Sequence, residues 1–257
     1  MKKMEMIINE KLDEIERKEG VRILYAAESG SRAWGFASPD SDYDVRFIYV
    51  RPVEQYLQLM ESRDVIEWQL DEVLDINGWD IKKALKQFAR GNATLFEWIG
   101  SPIVYRTTEE WKRVQEVSKL YFCEKAAVYH YYGTANSTLQ EYLQGDSVQY
   151  KKYFYALRPL LAARYIEAYH KAPPVLFGEL LQSEMEMSQE IRTAIEELLE
   201  IKKRTTEKEE NPQMPVIRSF IESEVERQKE IADHLTDDHN KDWMELDQMF
   251  REIVCGG

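Results

Sequence analysis

The sequence predicts an α+β fold, with a mixed sheet and flanking helices over the first hundred residues and a helical domain after it. Short runs rich in β-branched and aromatic residues, each bounded by turn signals, fill the first part. From Thr108 onward, apolar residues recur instead at three and four positions. This change of period places one domain over 1–107 and a second over 108–257.

The elements follow in order. Ile7, Ile8, Leu12 and Ile15 lie at helical spacing, and Gly20 stands where a helix commonly stops in a left-handed conformation, so an amphipathic helix opens the chain. Val21, Ile23, Leu24 and Tyr25 predict a strand that delivers the polar turn Glu28-Ser29-Gly30-Ser31. Pro39, Asp40 and Ser41 mark a further turn, and Val45, Phe47, Ile48, Tyr49 and Val50 predict a second strand beginning near Tyr43. Two shorter strands are expected over Asp64 to Leu70 and Glu72 to Ile76, ahead of the turn pair Asn77-Gly78. Helical periodicity then runs through 111–143, 148–171, 187–203 and 216–235. The breaks fall at Gly145-Asp146-Ser147, Pro173-Pro174 and Asn211 to Pro215.

Composition narrows the function. An apolar share of 44% in 257 residues fills a core. The net charge of -13 argues against a broad basic surface, so any nucleic-acid contact must be local. Cys123 and Cys255 lie far apart and form no CxxC pair, which points away from a disulfide framework or zinc ribbon and toward a reducing cytoplasm. His130, His170, His234 and His239 make no short metal-binding pattern. The charged N-terminal stretch and the lack of any window near ~18 consecutive apolar residues predict neither secretion nor membrane insertion.

The chemistry rests on spacing. With 47 acidic residues, roughly eight acid-x-acid patterns are expected by chance, so Asp42-Tyr43-Asp44 means little alone. Taken singly, Gly30-Ser31 reads equally as a strand-to-helix turn with Ser31 as N-cap, and Ser38 to Asp44 as a solvated turn. Far rarer is the order: a strand, Gly30-Ser31, a ten-residue spacer, then two alternate aspartates opening another β-rich run. Residues two apart on a strand face the same way, so Asp42 and Asp44 would set their carboxylates side by side for a divalent cation such as Mg²⁺ or Mn²⁺. Gly30 lets backbone approach a phosphate closely, and the Ser31 hydroxyl offers a donor, positioning a triphosphate and not attacking it. Arg32 would reach phosphate from the turn, whereas Arg46 shares strand parity with the aspartates and would equally neutralise them.

Gly30-Ser31-Arg32-Ala33-Trp34-Gly35-Phe36-Ala37-Ser38, followed by Ser41-Asp42-Tyr43-Asp44-Val45-Arg46, closely resembles the YcgL/RlaP group of predicted nucleotidyltransferases, within the DNA polymerase β superfamily. The similarity continues through Asn77 to Leu85, Leu95 to Trp98, Ser101 to Tyr105 and Lys151 to Leu161, and fades after about Leu180. The resemblance implies a polymerase β-type mixed sheet and a third carboxylate on a neighbouring strand. Leu74-Asp75-Ile76 has the expected apolar-acid-apolar form, making Asp75 the choice. Asp80 competes, but it precedes Ile81 to Leu85, where a short acid caps a helix. In relatives a basic residue of the helical domain often holds the triphosphate, which nominates Lys152 and Arg158; six positions apart, they cannot share the centre of one helix face.

The expected activity is metal-dependent transfer of a nucleoside monophosphate from a nucleoside triphosphate to an acceptor hydroxyl, with two Mg²⁺ ions and release of pyrophosphate. Asp42, Asp44 and Asp75 would be catalytic metal ligands, with Gly30, Ser31, Arg32, Lys152 and Arg158 binding the nucleotide. The resemblance points to RNA repair or modification, hence an RNA 3′ hydroxyl as acceptor. The alternatives are AMP transfer to a protein or small molecule, and a non-catalytic nucleotide-binding or interaction protein. Lys82, Lys83, Lys86 and Arg90 make a basic stripe suited to a triphosphate or RNA end, or equally to a solvated helix face.

Overall fold

The computed structural model describes residues 2–38, 41–69, 73–183, 185–202 and 209–256. The expected turn at Pro39-Asp40 and the strand ends at Leu70 and Glu72 lie outside them, as does Lys203 at the end of the third helical window. The fold is α+β. In chain order its elements are α1 (Lys2–Glu19), β1 (Arg22–Ser29), α2 (Gly30–Trp34), β2 (Tyr43–Val50), α3 (Val53–Tyr56), β3 (Val65–Gln69), β4 (Leu74–Asp80), α4 (Ile81–Ala89), α5 (Ala93–Ile99), β5 (Val104–Thr107) and α6 (Glu109–Ser118). There follow α7 (Glu124–Tyr142), β6 (Ser147–Gln149), α8 (Tyr150–Tyr169), α9 (Phe177–Gln182), α10 (Gln189–Lys202), β7 (Glu210–Pro212), α11 (Pro215–His234) and α12 (Met244–Cys255).

One compact unit comprises residues 1–33, 42–122 and 239–257. Its sheet has the order β3-β4-β2-β1-β5 and is mixed, because β2 runs parallel to β4 while the other pairings are antiparallel. Strand alternation gives the sheet two apolar faces. Val45, Phe47, Tyr49 and Ile76 pack with Ile8, Leu12 and Ile15 of α1 on one side. Leu24, Ile48 and Val50 pack on the other with Leu85, Phe88 and Trp111 from α4 and α6, and with Leu246, Met249 and Ile253 of α12. Trp111 stacks on Tyr25 at 5.3 Å between ring centroids. α1 ends at Gly20, whose φ of +63° is the left-handed stop expected there.

The second unit comprises residues 34–41 and 123–238. Here α7, α8 and α11 pack together, and β6 pairs with β7 as a small antiparallel ribbon. Phe36 packs in this unit, where its ring stacks on Phe154 at 4.7 Å and meets Phe177 edge-on. The two compact units are therefore not separated by one cut at residue 107. The apolar stripe of α12, absent from the expected helices, brings the chain end back to α4 and α6.

Two local expectations are corrected. Asn77-Gly78 is not a turn but lies inside β4, whose pairing with β2 continues through Asp80. A Cβ on Gly78 would overlap the Phe47 ring, so glycine there marks close packing within a strand and not a reversal. The window 111–143 is likewise two helices, α6 and α7. Thr108 caps the first by accepting from the Trp111 amide, and Cys123 Sγ caps the second by accepting from the Ala126 amide.

Candidate active site

β1 carries the chain directly into α2, and antiparallel pairing sets Ser29 opposite Asp44. Gly30 therefore turns beside Asp44 with φ +61°, and a Cβ on residue 30 would overlap the Asp44 carboxylate. Only glycine satisfies both demands. Ser31 is buried, and its hydroxyl makes no hydrogen bond among the described residues.

In the parallel pairing of β2 with β4, Asp44 lies opposite Asp75. Arg46, two residues along from Asp44, bridges them: its Nη2 donates to Asp44 Oδ1 at 3.3 Å and to Asp75 Oδ2 at 2.9 Å. Two carboxylates from adjacent strands thus converge on one cationic nitrogen. Asp42 lies just ahead of β2, exposed, so strand alternation does not itself fix its side chain. Its carbonyl accepts from Arg32 Nε at 2.9 Å, and the Arg32 guanidinium lies 3.7 Å from the centre of the Tyr43 ring. Arg32 thereby ties α2 to the segment that enters β2.

Asp80 is placed otherwise. It is buried at the far end of β4, where Oδ1 accepts from the Lys82 amide at 2.8 Å and Oδ2 from the Tyr56 hydroxyl at 2.9 Å. It caps α4. It lies five positions along β4 from Asp75, roughly 16 Å along a strand.

Lys152 and Arg158 belong to the second unit. Lys152 Nζ lies 3.4 Å from the centre of the Tyr142 ring, and burial, with Lys151 beside it, holds its ammonium below the usual lysine range. Arg158 is 2% exposed; its Nε donates to the Val175 carbonyl at 3.3 Å and its guanidinium lies 4.7 Å from the Trp34 ring centre.

Sequence reasoning passed over Glu28. Its carboxylate is buried; Oε1 accepts from the Asp44 amide at 2.7 Å and Oε2 from the Tyr105 hydroxyl. Burial pushes the Glu28 carboxyl above the ordinary range, against the pull of these donors. Glu28 thus fixes the backbone that presents Asp44. The available signal was an acid continuing the apolar run of β1, a position that demands a partner.

The chain matches, over residues 4–252, the family model RlaP, described as an RNA repair pathway DNA polymerase beta family. It is also 42% identical over 255 residues to the uncharacterized protein YcgL of Bacillus subtilis (strain 168), across 98% of this chain and 96% of that relative. Among the described residues no helix is long and apolar enough to cross a membrane.

Proposed function

Because the chain belongs to the RNA repair pathway DNA polymerase beta family, we propose that it transfers a nucleoside monophosphate from a nucleoside triphosphate to an RNA 3′ hydroxyl, at the end of the sheet where β2 and β4 begin, marked by Asp42, Asp44 and Asp75. The observation that carries this reading is the convergence of Asp44 and Asp75 on a single nitrogen of Arg46, next to Gly30.

The residues fit a divalent cation. The donors are carboxylate oxygens, which suit Mg²⁺ or Mn²⁺, and two of them already gather around one positive group. Asp42, Asp44 and Asp75 would hold two such ions. Bound there, such ions would supply charge to the phosphate oxygens and raise the acidity of the acceptor hydroxyl.

The chain's own residues bind and orient. Gly30 admits the phosphates against bare backbone, and the Ser31 hydroxyl donates to a phosphate oxygen. Arg46 disperses the mutual repulsion of Asp44 and Asp75 before the metal arrives. Arg32 holds the Asp42 segment, and Glu28 holds the Asp44 amide. No side-chain nucleophile is needed, since alignment and charge stabilisation carry the transfer.

The test is incubation with each labelled ribonucleoside triphosphate and Mg²⁺ against separate pools of RNA with free 3′ hydroxyls, proteins and small hydroxyl compounds. Label should enter RNA, and Asp44→Asn and Asp75→Asn should each abolish it. Label entering only the protein or small-molecule pool overturns the RNA acceptor; transfer that survives both substitutions overturns the site.

A further inference from the structure

Away from the proposed catalytic residues, the first unit holds a cleft of about 600 Å³ between α4 and the segment 51–64. Lys82 and Lys86 of α4 line it, with Arg90, the residue that caps the end of α4; spaced four residues apart, the three continue one row along the helix surface. The row is about 12 Å long, at 1.5 Å of rise per residue. All three side chains are exposed, and none has an ionic partner among the described residues. Arg51 and Lys83 add two further cations.

The acids of the cleft do not cancel this charge. Asp64 is paired with Lys83 at 3.2 Å, Asp80 is committed to the Lys82 amide and the Tyr56 hydroxyl, and the exposed Glu61 is the one remaining acid. Among the lining residues five are basic and three acidic, within a chain of net charge -13. Such a row has the form of a polyanion site. Its repeat of about 6 Å per four residues and its length suit successive phosphates of one strand better than one nucleotide's triphosphate.

We propose that the Lys82, Lys86 and Arg90 row, with the cleft beside it, binds the sugar-phosphate backbone of the RNA acceptor several nucleotides from the reacting end. This rests on the RNA acceptor reading above. The 16 Å or so between Asp75 and Asp80 corresponds to about three phosphates at that same ~6 Å repeat, and the row extends about 12 Å beyond. An RNA of four nucleotides with its end at the catalytic residues would get no further than the start of the row.

The test is fluorescence anisotropy with fluorescein-labelled single-stranded RNAs of 20 and 4 nucleotides, on the whole protein and on Lys82→Gln/Lys86→Gln/Arg90→Gln, over a range of salt. The native protein should bind the 20-mer at least roughly tenfold more tightly than the 4-mer, and the triple variant should lose that difference. Its salt dependence, log Kd against log salt concentration, should flatten by about two as three contacts vanish. The charge-conserving set Lys82→Arg/Lys86→Arg/Arg90→Lys should restore both, and unchanged melting temperatures check the fold. Equal 20-mer affinity and salt slope in native and triple variant overturn the row while leaving the RNA acceptor standing. A native protein that binds neither RNA overturns the acceptor and the row together. Binding to polyglutamate but not to the 20-mer assigns the row to an acidic protein and overturns the inference.

Discussion

Gly30 and Asp44 are so close that the smallest side chain on residue 30 would occupy the space of the Asp44 carboxylate. Gly30 also has φ +61°, a conformation that costs an ordinary residue about 1–2 kcal/mol. Gly30→Ala should therefore act twice, lowering stability by about that amount and displacing Asp44. The expected result is a modest loss of unfolding free energy in urea, together with loss of the Mg²⁺-dependent thermal shift given by nucleoside triphosphate. A variant destabilised to that degree but still shifted like the native protein would show that Asp44 tolerates displacement.

Asp75 and Asp80 share β4 but have opposite surroundings, and substitution should separate them. The Asp75 side chain is 51% exposed, so Asp75→Asn should leave stability within about 0.5 kcal/mol while removing metal-dependent transfer. Asp80→Ala should do the reverse. It deletes a helix cap and the acceptor of the Tyr56 hydroxyl, at a cost of about 1–2 kcal/mol, with transfer retained by the folded fraction. Asp80→Asn keeps a good capping group and should recover most of that loss. Urea melts and transfer assays on the three variants decide the matter; an inactive but stable Asp80→Asn would move the third carboxylate to Asp80.

Much of the proposed site is legible in the sequence because its signal lies in chain order. Gly30, Ser31, Asp42 and Asp44 sit within fifteen residues, and their spacing survives reading without any tertiary contact. Glu28 and Arg46 were less legible, since their roles come from strand pairing: Glu28 meets the Asp44 amide sixteen positions away, and Arg46 meets Asp75 twenty-nine positions away. The helices emerged from periodicity; α12 carries an apolar stripe of its own, but the partners of that stripe, α4 and α6, lie more than a hundred positions earlier in the chain. Asn77-Gly78 shows a local signal losing to a distant one. The dipeptide favours a turn, yet β4 runs through it because Gly78 makes room for Phe47.

That packing predicts a specific cost. Gly78→Ala would push a methyl group into the buried Phe47 ring, and overpacking of this kind costs about 1–3 kcal/mol. Phe47→Leu, which removes the ring atoms facing Gly78, should destabilise the native sequence but partly rescue Gly78→Ala. A double-mutant cycle in urea should give a favourable coupling between the two positions. Strictly additive losses would mean that the alanine is accommodated by a shift of β4 and not by the ring.

Glu224 gives the helical unit a pH dependence of defined sign. It is 2% exposed, and although burial opposes its ionisation, Arg164, Arg227 and Gln228 prevail and hold its carboxyl below the ordinary value of 4.5. Arg164 Nη2 donates to it at 2.7 Å, and Arg227 Nη2 at 2.6 Å. A depressed pKa means that the unfolded chain takes up the proton first on acidification. The stabilisation is therefore complete above about pH 4.5 and is lost as pH falls through the lower folded value. Glu224→Gln leaves the two guanidiniums without their shared anion, a loss of about 3–5 kcal/mol at neutral pH for a buried pair broken on one side. Below pH 4.5 the unfolded chain takes up its proton and the contribution of the folded carboxylate declines, so the gap between native and variant should narrow at pH 3. Denaturant melts of both proteins at pH 7 and pH 3 measure it directly. A gap that stays constant between the two would mean that packing, and not charge, makes Glu224 important.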